Sequence, residues 1–493
     1  MSGIVHTLAL LTVERYFSLL LSFATMAAVS RILTPTEVGI AVMGWAILSI
    51  PFALRDLGTS DFIVQRKELS NEYTRCATSV GLLSALALFV AIVALTPAIV
   101  ALYGDARIGQ FLHVIVFAIL TDAAGGPILA LMRRDLAFGS VVCVNVMVSV
   151  ATSVVTIGFA LLGFSYMSVA WAALISNGSA AVLALCLRPS LWVFRPSLRH
   201  WREVVHFGMY YSAMAALMRA YEAFPYLALG RFAQASAIGH YSRAVQVCQL
   251  PDKVILSAIA SFAFPALAAE AREGRKLKVS YFKAIEYMTA VQWPGLVLLA
   301  FLAPRIVQLL YGQQWSQVVP LVQIMALAWT FGAVSVLTYP VLYAVGNLPR
   351  ALAMTLVSLP VSALIMLAAA PFGPTAMALS LFLTIPFNNF VALRFIQSHF
   401  QFEWTELWTA VRKSIFVTLL SAAGPLCVLA IMGWQFEQPL RVQGLMVLLA
   451  GIGWLLGLWL SQHPILAVLS EVVSAARQRG AAEPLPKAGP PPA

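Results

Sequence analysis

CATSVGLLSALALFVAIVALTPA, residues 76–98, contains no charged residue. About 20 apolar residues is the length a helix needs to cross a ~30 Å hydrocarbon layer. Runs of the same kind recur along the whole chain, at residues 9–30, 38–62, 76–98, 108–131, 139–162, 166–187, 204–228, 240–265, 284–303, 318–345, 351–370, 375–397, 414–433 and 443–461. Backbone polar groups in lipid must be paired within their own segment, so each run is expected to be a helix, with internal Gly and Pro tolerated as in other membrane bundles. The expected fold is all-α, a polytopic membrane protein with about 14 transmembrane helices.

Composition agrees with this. The chain is 61% hydrophobic and 10% charged, and no interval of ordinary polarity is large enough for a soluble catalytic domain. A net charge of +11 invites a nucleic-acid reading, but the basic residues lie in short loops rather than on one folded surface, so no nucleic-acid partner is expected. They report topology instead. Loops on one side carry Arg66, Lys67, Arg75, Arg133, Arg134, Arg188, Arg195, Arg199, Arg202, the cluster from Arg272 to Lys283, Arg350, Arg412 and Lys413, and the tail adds Arg477, Arg479 and Lys487. The opposite loops hold Arg31, Arg107, Arg231, Arg305 and Arg441. With an even span count, the positive-inside rule places both termini in the cytoplasm.

The first apolar run has no basic lead-in and is interrupted by Glu14 and Arg15, so it reads as the first span rather than a cleavable signal. Cys76, Cys143, Cys186, Cys248 and Cys427 stand singly and are expected to be buried free thiols. The seven histidines are scattered, which predicts no metal site, and the G-x-x-x-x-G-K-[ST] pattern that would bind ATP does not occur. Trp201, Tyr210, Tyr241, Trp315, Trp404, Trp408 and Trp434 near span ends read as interfacial anchors. From His463 to Arg479 the apolar residues share one helical face, which predicts a helix lying on the membrane surface, followed by a disordered Pro- and Ala-rich tail.

A repeat lies beneath the hydropathy. Arg31, Gly39 and Pro51 recur with the same spacing as Arg231, Gly239 and Pro251. Pro97-Ala98-Ile99-Val100 before Tyr103-Gly104 echoes Pro304-Arg305-Ile306-Val307 before Tyr311-Gly312, and Pro127-Ile128-Leu129 echoes Pro340-Val341-Leu342. Ordered matches at an offset of about two hundred residues predict two six-helix lobes, residues 1–200 and 201–400, arranged as a parallel pseudo-repeat about the membrane normal. Residues 401–462 form an appended helix pair, and 463–493 the surface helix and tail. In this design the substrate pathway lies between the lobes, and alternating access is the rocking of one against the other.

The same segments carry a family resemblance. Arg31-Ile32-Leu33-Thr34-Pro35-Thr36-Glu37-Val38-Gly39, then Arg55-Asp56-Leu57-Gly58 and Val64-Gln65-Arg66-Lys67-Glu68-Leu69, resemble the amino-terminal signature of Wzx-type polysaccharide flippases. Ile238-Gly239-His240-Tyr241-Ser242-Arg243-Ala244, Phe264-Pro265-Ala266-Leu267 and Leu310-Tyr311-Gly312-Gln313-Gln314-Trp315 are similar to second-lobe landmarks of that family, the polysaccharide transporter branch of the multidrug/oligosaccharidyl-lipid/polysaccharide (MOP) exporter superfamily. The resemblance implies a bacterial inner-membrane flippase that turns undecaprenyl-diphosphate-linked oligosaccharide to the outer leaflet for lipopolysaccharide or exopolysaccharide assembly. The transport unit is expected to be monomeric and to dock to polymerase and export machinery. The chain departs from the pattern late in span seven, with Glu222-Ala223-Phe224-Pro225-Tyr226 where many relatives carry an acidic residue and an Ile/Gly run. A lipid II or multidrug exporter of the same superfamily remains an alternative, as does a polysaccharide polymerase or ligase, although the short outer loops count against an enzyme.

Charges inside spans mark the candidate site. An Arg, Lys or Asp at a helix centre costs about 2.5–3.5 kcal/mol on insertion scales, so each must face a wet cavity, a partner or an interface. Arg15, Arg55, Arg219, Arg243 and Lys253 are candidates to hold a diphosphate, which arginine recognises with charge-assisted, bidentate hydrogen bonds. Competing expectations are a pairing of Arg219 with Glu222, snorkelling of Arg243 to the interface, and bracing of spans one and two by Glu14 with Arg55 and Arg15 with Asp56. Glu14, Asp56, Asp122, Glu222, Asp252 and Glu286 are candidates for proton or sodium coupling, with no cofactor required.

Overall fold

A computed structural model describes residues 2–55, 57–253, 277–338, 341–342, 348–436 and 438–467. Asp56, the end of the span expected to reach 265, the cluster beginning at Arg272, Pro340 and the chain beyond 467 lie outside the described residues.

Regular structure among the described residues is helical throughout, without strands. In chain order the helices are α1 (Ser2–Ile32), α2 (Pro35–Arg55), α3 (Thr59–Gln65), α4 (Asn71–Tyr103), α5 (Ala106–Ile115), α6 (Phe117–Arg134), α7 (Phe138–Leu161), α8 (Met167–Leu187), α9 (Trp201–Phe232), α10 (Ala235–Cys248), α11 (Leu277–Tyr311), α12 (Val318–Trp329), α13 (Leu348–Ala369), α14 (Gly373–Phe400), α15 (Trp404–Ile431) and α16 (Leu440–Leu460). Ten helical stretches among the described residues are long and apolar enough to cross a membrane. Their ends are set by local chemistry. Ser70 accepts from the Tyr73 amide to start α4, and Glu403 and Glu406 form a capping box at the start of α15.

The expected spans 108–131 and 318–345 leave regular α-helix at Val116 and after Trp329, and the span expected at 38–62 breaks outright. The run 38–62 does not form a single helix, because α2 stops at Arg55, Leu57 and Gly58 take left-handed φ of 42° and 63°, and α3 restarts at Thr59. Such a turn favours glycine. Arg134 reaches across from α6 and donates to the carbonyls of Ile63, Val64, Arg66 and Lys67, at 2.8, 3.3, 2.6 and 3.1 Å, closing the end of α3.

The described residues form two compact units. Unit 1 comprises Met1–Val247, Arg305–Leu321 and Leu356–Thr384, and unit 2 comprises Cys248–Pro304, Val322–Thr355 and Ile385–Ala493. The units thus group α9 and α10 with the first helices, because α2 packs along α9. One core of unit 1 gathers Phe62, Ile63, Cys76, Val80, Leu131, Val193 and Val204. In unit 2 Tyr281, Ile285, Met288, Val391, Ile396 and Phe402 pack together, and Ile465, just past α16, joins Ala290, Val417 and Leu458. The start of the expected surface helix is therefore tucked into protein. Of the thiols only Cys76 and Cys248 are buried, and Cys143, Cys186 and Cys427 face outward. A thiol on an outward helix face meets lipid, which suits its weak polarity.

Candidate functional site

Arg55 closes α2, and its position follows from the break behind it. Its guanidinium forms an ion pair with Asp122 of α6 and lies 5.1 Å from the centroid of the Phe52 ring. The expected partner Glu14 instead accepts a hydrogen bond from Ser18. Ser84 donates to the Arg55 carbonyl, which the end of α2 leaves without a helical donor. Around the ion pair lies a small pocket lined by Thr59, Ser60, Gly81, Asp122, Gly126 and Pro127. Arg55 Nη1 is buried there without a hydrogen-bond partner. An arginine with one side neutralised by a carboxylate and one nitrogen still unsatisfied can donate to a further anionic oxygen.

The other candidates are dispersed. Arg15, Arg219 and Arg243 do not line the Arg55 pocket. Arg15 is exposed on α1. Arg219 and Glu222 pair with each other at 2.7 Å on an exposed face of α9. Arg243 does not snorkel: it is 6% exposed, donates to Gln246 at 2.6 Å, and lies 5.6 Å from the centroids of both Tyr311 and Trp315. Flanking aromatic faces give its charge an alternative to solvent. Asp252 and Lys253 belong to unit 2, where Asp252 accepts from Gln292 at 2.5 Å. Trp315 and Tyr241 are not interfacial anchors either, being 0% and 2% exposed, whereas Trp201, Trp404, Trp408 and Trp434 are exposed.

Within unit 1, residues related by the sequence repeat touch one another reciprocally. A Cβ built on Gly39 would lie 1.7 Å from the Ala235 carbonyl oxygen, and one built on Gly239 would lie 2.1 Å from the Pro35 carbonyl oxygen. The first turns of α2 and α10 therefore meet backbone to backbone, each through the glycine of the other's equivalent. The same exchange occurs nearby. Tyr311 places its hydroxyl 3.6 Å from Met26 Sδ on α1, while Tyr103 packs over Gly230 on α9. Trp315 Nε1 and Gln314 Nε2 both donate to the Ser30 carbonyl, at 2.6 and 2.7 Å, and Arg31 donates to the Leu309 carbonyl at 2.5 Å.

At the other end of α2 the contact is with the start of α9. A Cβ on Gly208 would lie 1.4 Å from the Leu57 carbonyl oxygen. Arg66 pairs with Glu203 of α9 at 2.5 Å, stacks 3.6 Å from the centroid of Tyr73, and shares Glu203 with the Tyr73 hydroxyl at 3.1 Å. The sequence marked Arg134 only as a loop cation and did not single out Glu203. Their partners are fixed by tertiary packing, and the only local signal was the charge of each.

The lipid II flippase MurJ family matches residues 209–441. The lipopolysaccharide biosynthesis protein WzxC of Escherichia coli is 24% identical over 316 residues, covering 62% of each chain. The succinoglycan biosynthesis transport protein ExoT of Rhizobium meliloti is 22% identical, again over 62% of each. The matches thus span about three fifths of the length of these relatives. Among solved structures, lipid II flippase MurJ in an inward closed conformation superposes with a TM-score of 0.73 at 12% identity, over 90% of this chain and 97% of that one. An inward-facing multidrug resistance MATE family transporter of the MOP superfamily superposes with a TM-score of 0.64 at 15% identity, over 78% and 94%. These likenesses show the fold, that of multi-pass membrane transporters. The family described as polysaccharide biosynthesis protein matches residues 28–320, more than half of the sequence, and the chain belongs to that family.

Proposed function

We propose that this protein is a flippase of the bacterial inner membrane, with both termini cytoplasmic. It moves undecaprenyl-diphosphate-linked oligosaccharide to the outer leaflet by alternating access, for lipopolysaccharide or exopolysaccharide assembly. The observation that carries the reading is the reciprocal contact of Pro35 and Gly39 with Ala235 and Gly239. Like-oriented halves that exchange equivalent contacts about a local axis suit a rocking transporter with a lobe boundary near residue 200. The names of WzxC and ExoT favour a saccharide cargo, and the unsatisfied Arg55 nitrogen suits a phosphate on it. Docking to polymerase and export machinery, and transport by a single copy, belong to the same proposal.

In a cell lacking the gene, lipid-linked oligosaccharide should accumulate on the cytoplasmic face. Rescue by the wild type and by Arg15→Ala, which lies outside the pocket, with failure of Arg55→Ala, would support both the activity and the site. Unchanged lipid-linked sugar in the deletion would overturn the activity, and full rescue by Arg55→Ala would remove the site alone. The MurJ fold keeps lipid II as a second cargo, and accumulation of lipid II instead would identify it.

A further inference from the structure

Unit 2 holds an open pocket of about 690 Å³ that the flippase reading does not use. Lys278 and Lys283 on the first turns of α11 and Arg412 and Lys413 on α15 surround it. Two carboxylates, Glu286 and Glu406, against these four cations leave a surplus of two positive charges. Glu406 pairs with Lys278 at 2.7 Å, and Glu286 lies 3.9 Å from His463 Nε2. Lys413 donates to the Gln462 carbonyl at 3.1 Å and keeps its charge, while Lys283 and Arg412 are exposed and form no ion pair among the described residues. The pocket therefore carries surplus positive charge over an apolar floor of Val279, Phe282 and Pro464.

Its depth in the bilayer is marked independently. Trp404 and Trp408, on the same turns of α15, are 40% and 60% exposed, and exposed tryptophans gather at the level of lipid headgroups. A basic hollow between membrane helices at that level has the chemistry to hold a lipid phosphate, its acyl chains running along the apolar wall. We infer that the α11–α15 pocket binds the phosphate of a resident anionic glycerophospholipid, with Lys283, Arg412 and Lys413 as its ligands. The site is separate from the Arg55 pocket, which lies in unit 1.

The test is native mass spectrometry of the full-length protein in detergent, titrated with phosphatidylglycerol, phosphatidylethanolamine or undecaprenyl diphosphate. Phosphatidylglycerol should bind at least about fivefold more tightly than phosphatidylethanolamine. The double variant Lys283→Gln/Arg412→Gln should lose about tenfold in affinity for phosphatidylglycerol, while Lys283→Arg/Arg412→Lys retains it. Arg55→Gln should leave this binding unchanged. Equal binding of the zwitterionic lipid, or unaltered phosphatidylglycerol binding in the double glutamine variant, would overturn the inference. Preferential capture of undecaprenyl diphosphate in a manner dependent on Lys283 and Arg412 would also overturn it, assigning the pocket to a prenyl-diphosphate cargo. None of these outcomes depends on whether the protein flips a saccharide.

Discussion

At the Pro35 end of α2, backbone meets backbone: Gly39 and Gly239 interlock, and neutral or backbone-directed hydrogen bonds from Trp315, Gln314 and Arg31 tie α1 to the segment around residue 312. At the Arg55 end the same helix is followed by a left-handed turn against Gly208, and the polar tie is the Arg66–Glu203 pair, whose carboxylate side chain is 50% exposed. The first closure depends on dry, close packing that salt does not reach. The second depends in part on a solvated ion pair worth about 0–1 kcal/mol. Of the two ends, the Arg55 end is the easier to open.

Breaking the tight end has the largest expected effect. Gly39→Leu or Gly239→Leu must force α2 and α10 apart, so thermal unfolding in detergent should show a loss of about 3 kcal/mol, with transport abolished. Unaltered melting would mean that the close approach is dispensable.

Acid gives the second test, at a group that belongs to neither end of α2. His463 is fully buried in unit 2, facing Glu286, Lys413 and Ser414, and burial and the nearby lysine lower its pKa to about 4. The folded protein thus disfavours the protonated form that the unfolded chain takes up below about pH 6.5. Stability is fully present above pH 6.5 and lost as pH falls toward 4, by about 2 kcal/mol at pH 5. The gap between melting curves at pH 7 and pH 5 should narrow in His463→Gln. An undiminished gap in that variant would place the titrating group elsewhere.

At the Arg55 end, Gly208→Ala should cost about 1–2 kcal/mol and loosen the turn. With the other four cysteines replaced by serine, maleimide labelling of buried Cys76 should rise several-fold, about 2–10 times. No change in labelling would show that the turn yields without opening the core beside it. The smallest effect is expected of Glu203→Gln, about 1 kcal/mol or less. Its signature is salt dependence: raising ionic strength should increase Cys76 labelling in the wild type and leave the variant unmoved.

Much of this contrast was visible before any coordinates. The shared spacing of Arg31 and Gly39 with Arg231 and Gly239 identified the two glycines that interlock, because a demand for the smallest residue survives as sequence identity. The apolar runs located the helices because lipid imposes length and polarity directly. Less was legible where a residue's role depends on a distant partner. Asp122 was marked for ion coupling, yet its recognised contact is with Arg55, and nothing in the spacing of 55 and 122 announces it. The burial of Arg243 was missed for the same reason, since Tyr311 and Trp315, which enclose it, come from a segment far along the chain. The stop after Arg55 was legible but passed over: Arg55-Asp56-Leu57-Gly58-Thr59-Ser60-Asp61 is a polar, glycine-bearing stretch inside an apolar run, and its turn is seated against Gly208.

The exchange of hydrogen bonds around Ser30 and Leu309 has a consequence for biogenesis. Ser30 lies in the last turn of α1 and Leu309 in the last turn of α11, and the last carbonyls of a helix have no donor of their own. Each is satisfied by the other segment: Trp315 and Gln314 serve Ser30, and Arg31 serves Leu309. The end of α1 therefore stays frayed until residue 315 has been translated and inserted. A nascent chain arrested before that point leaves α1 unfinished.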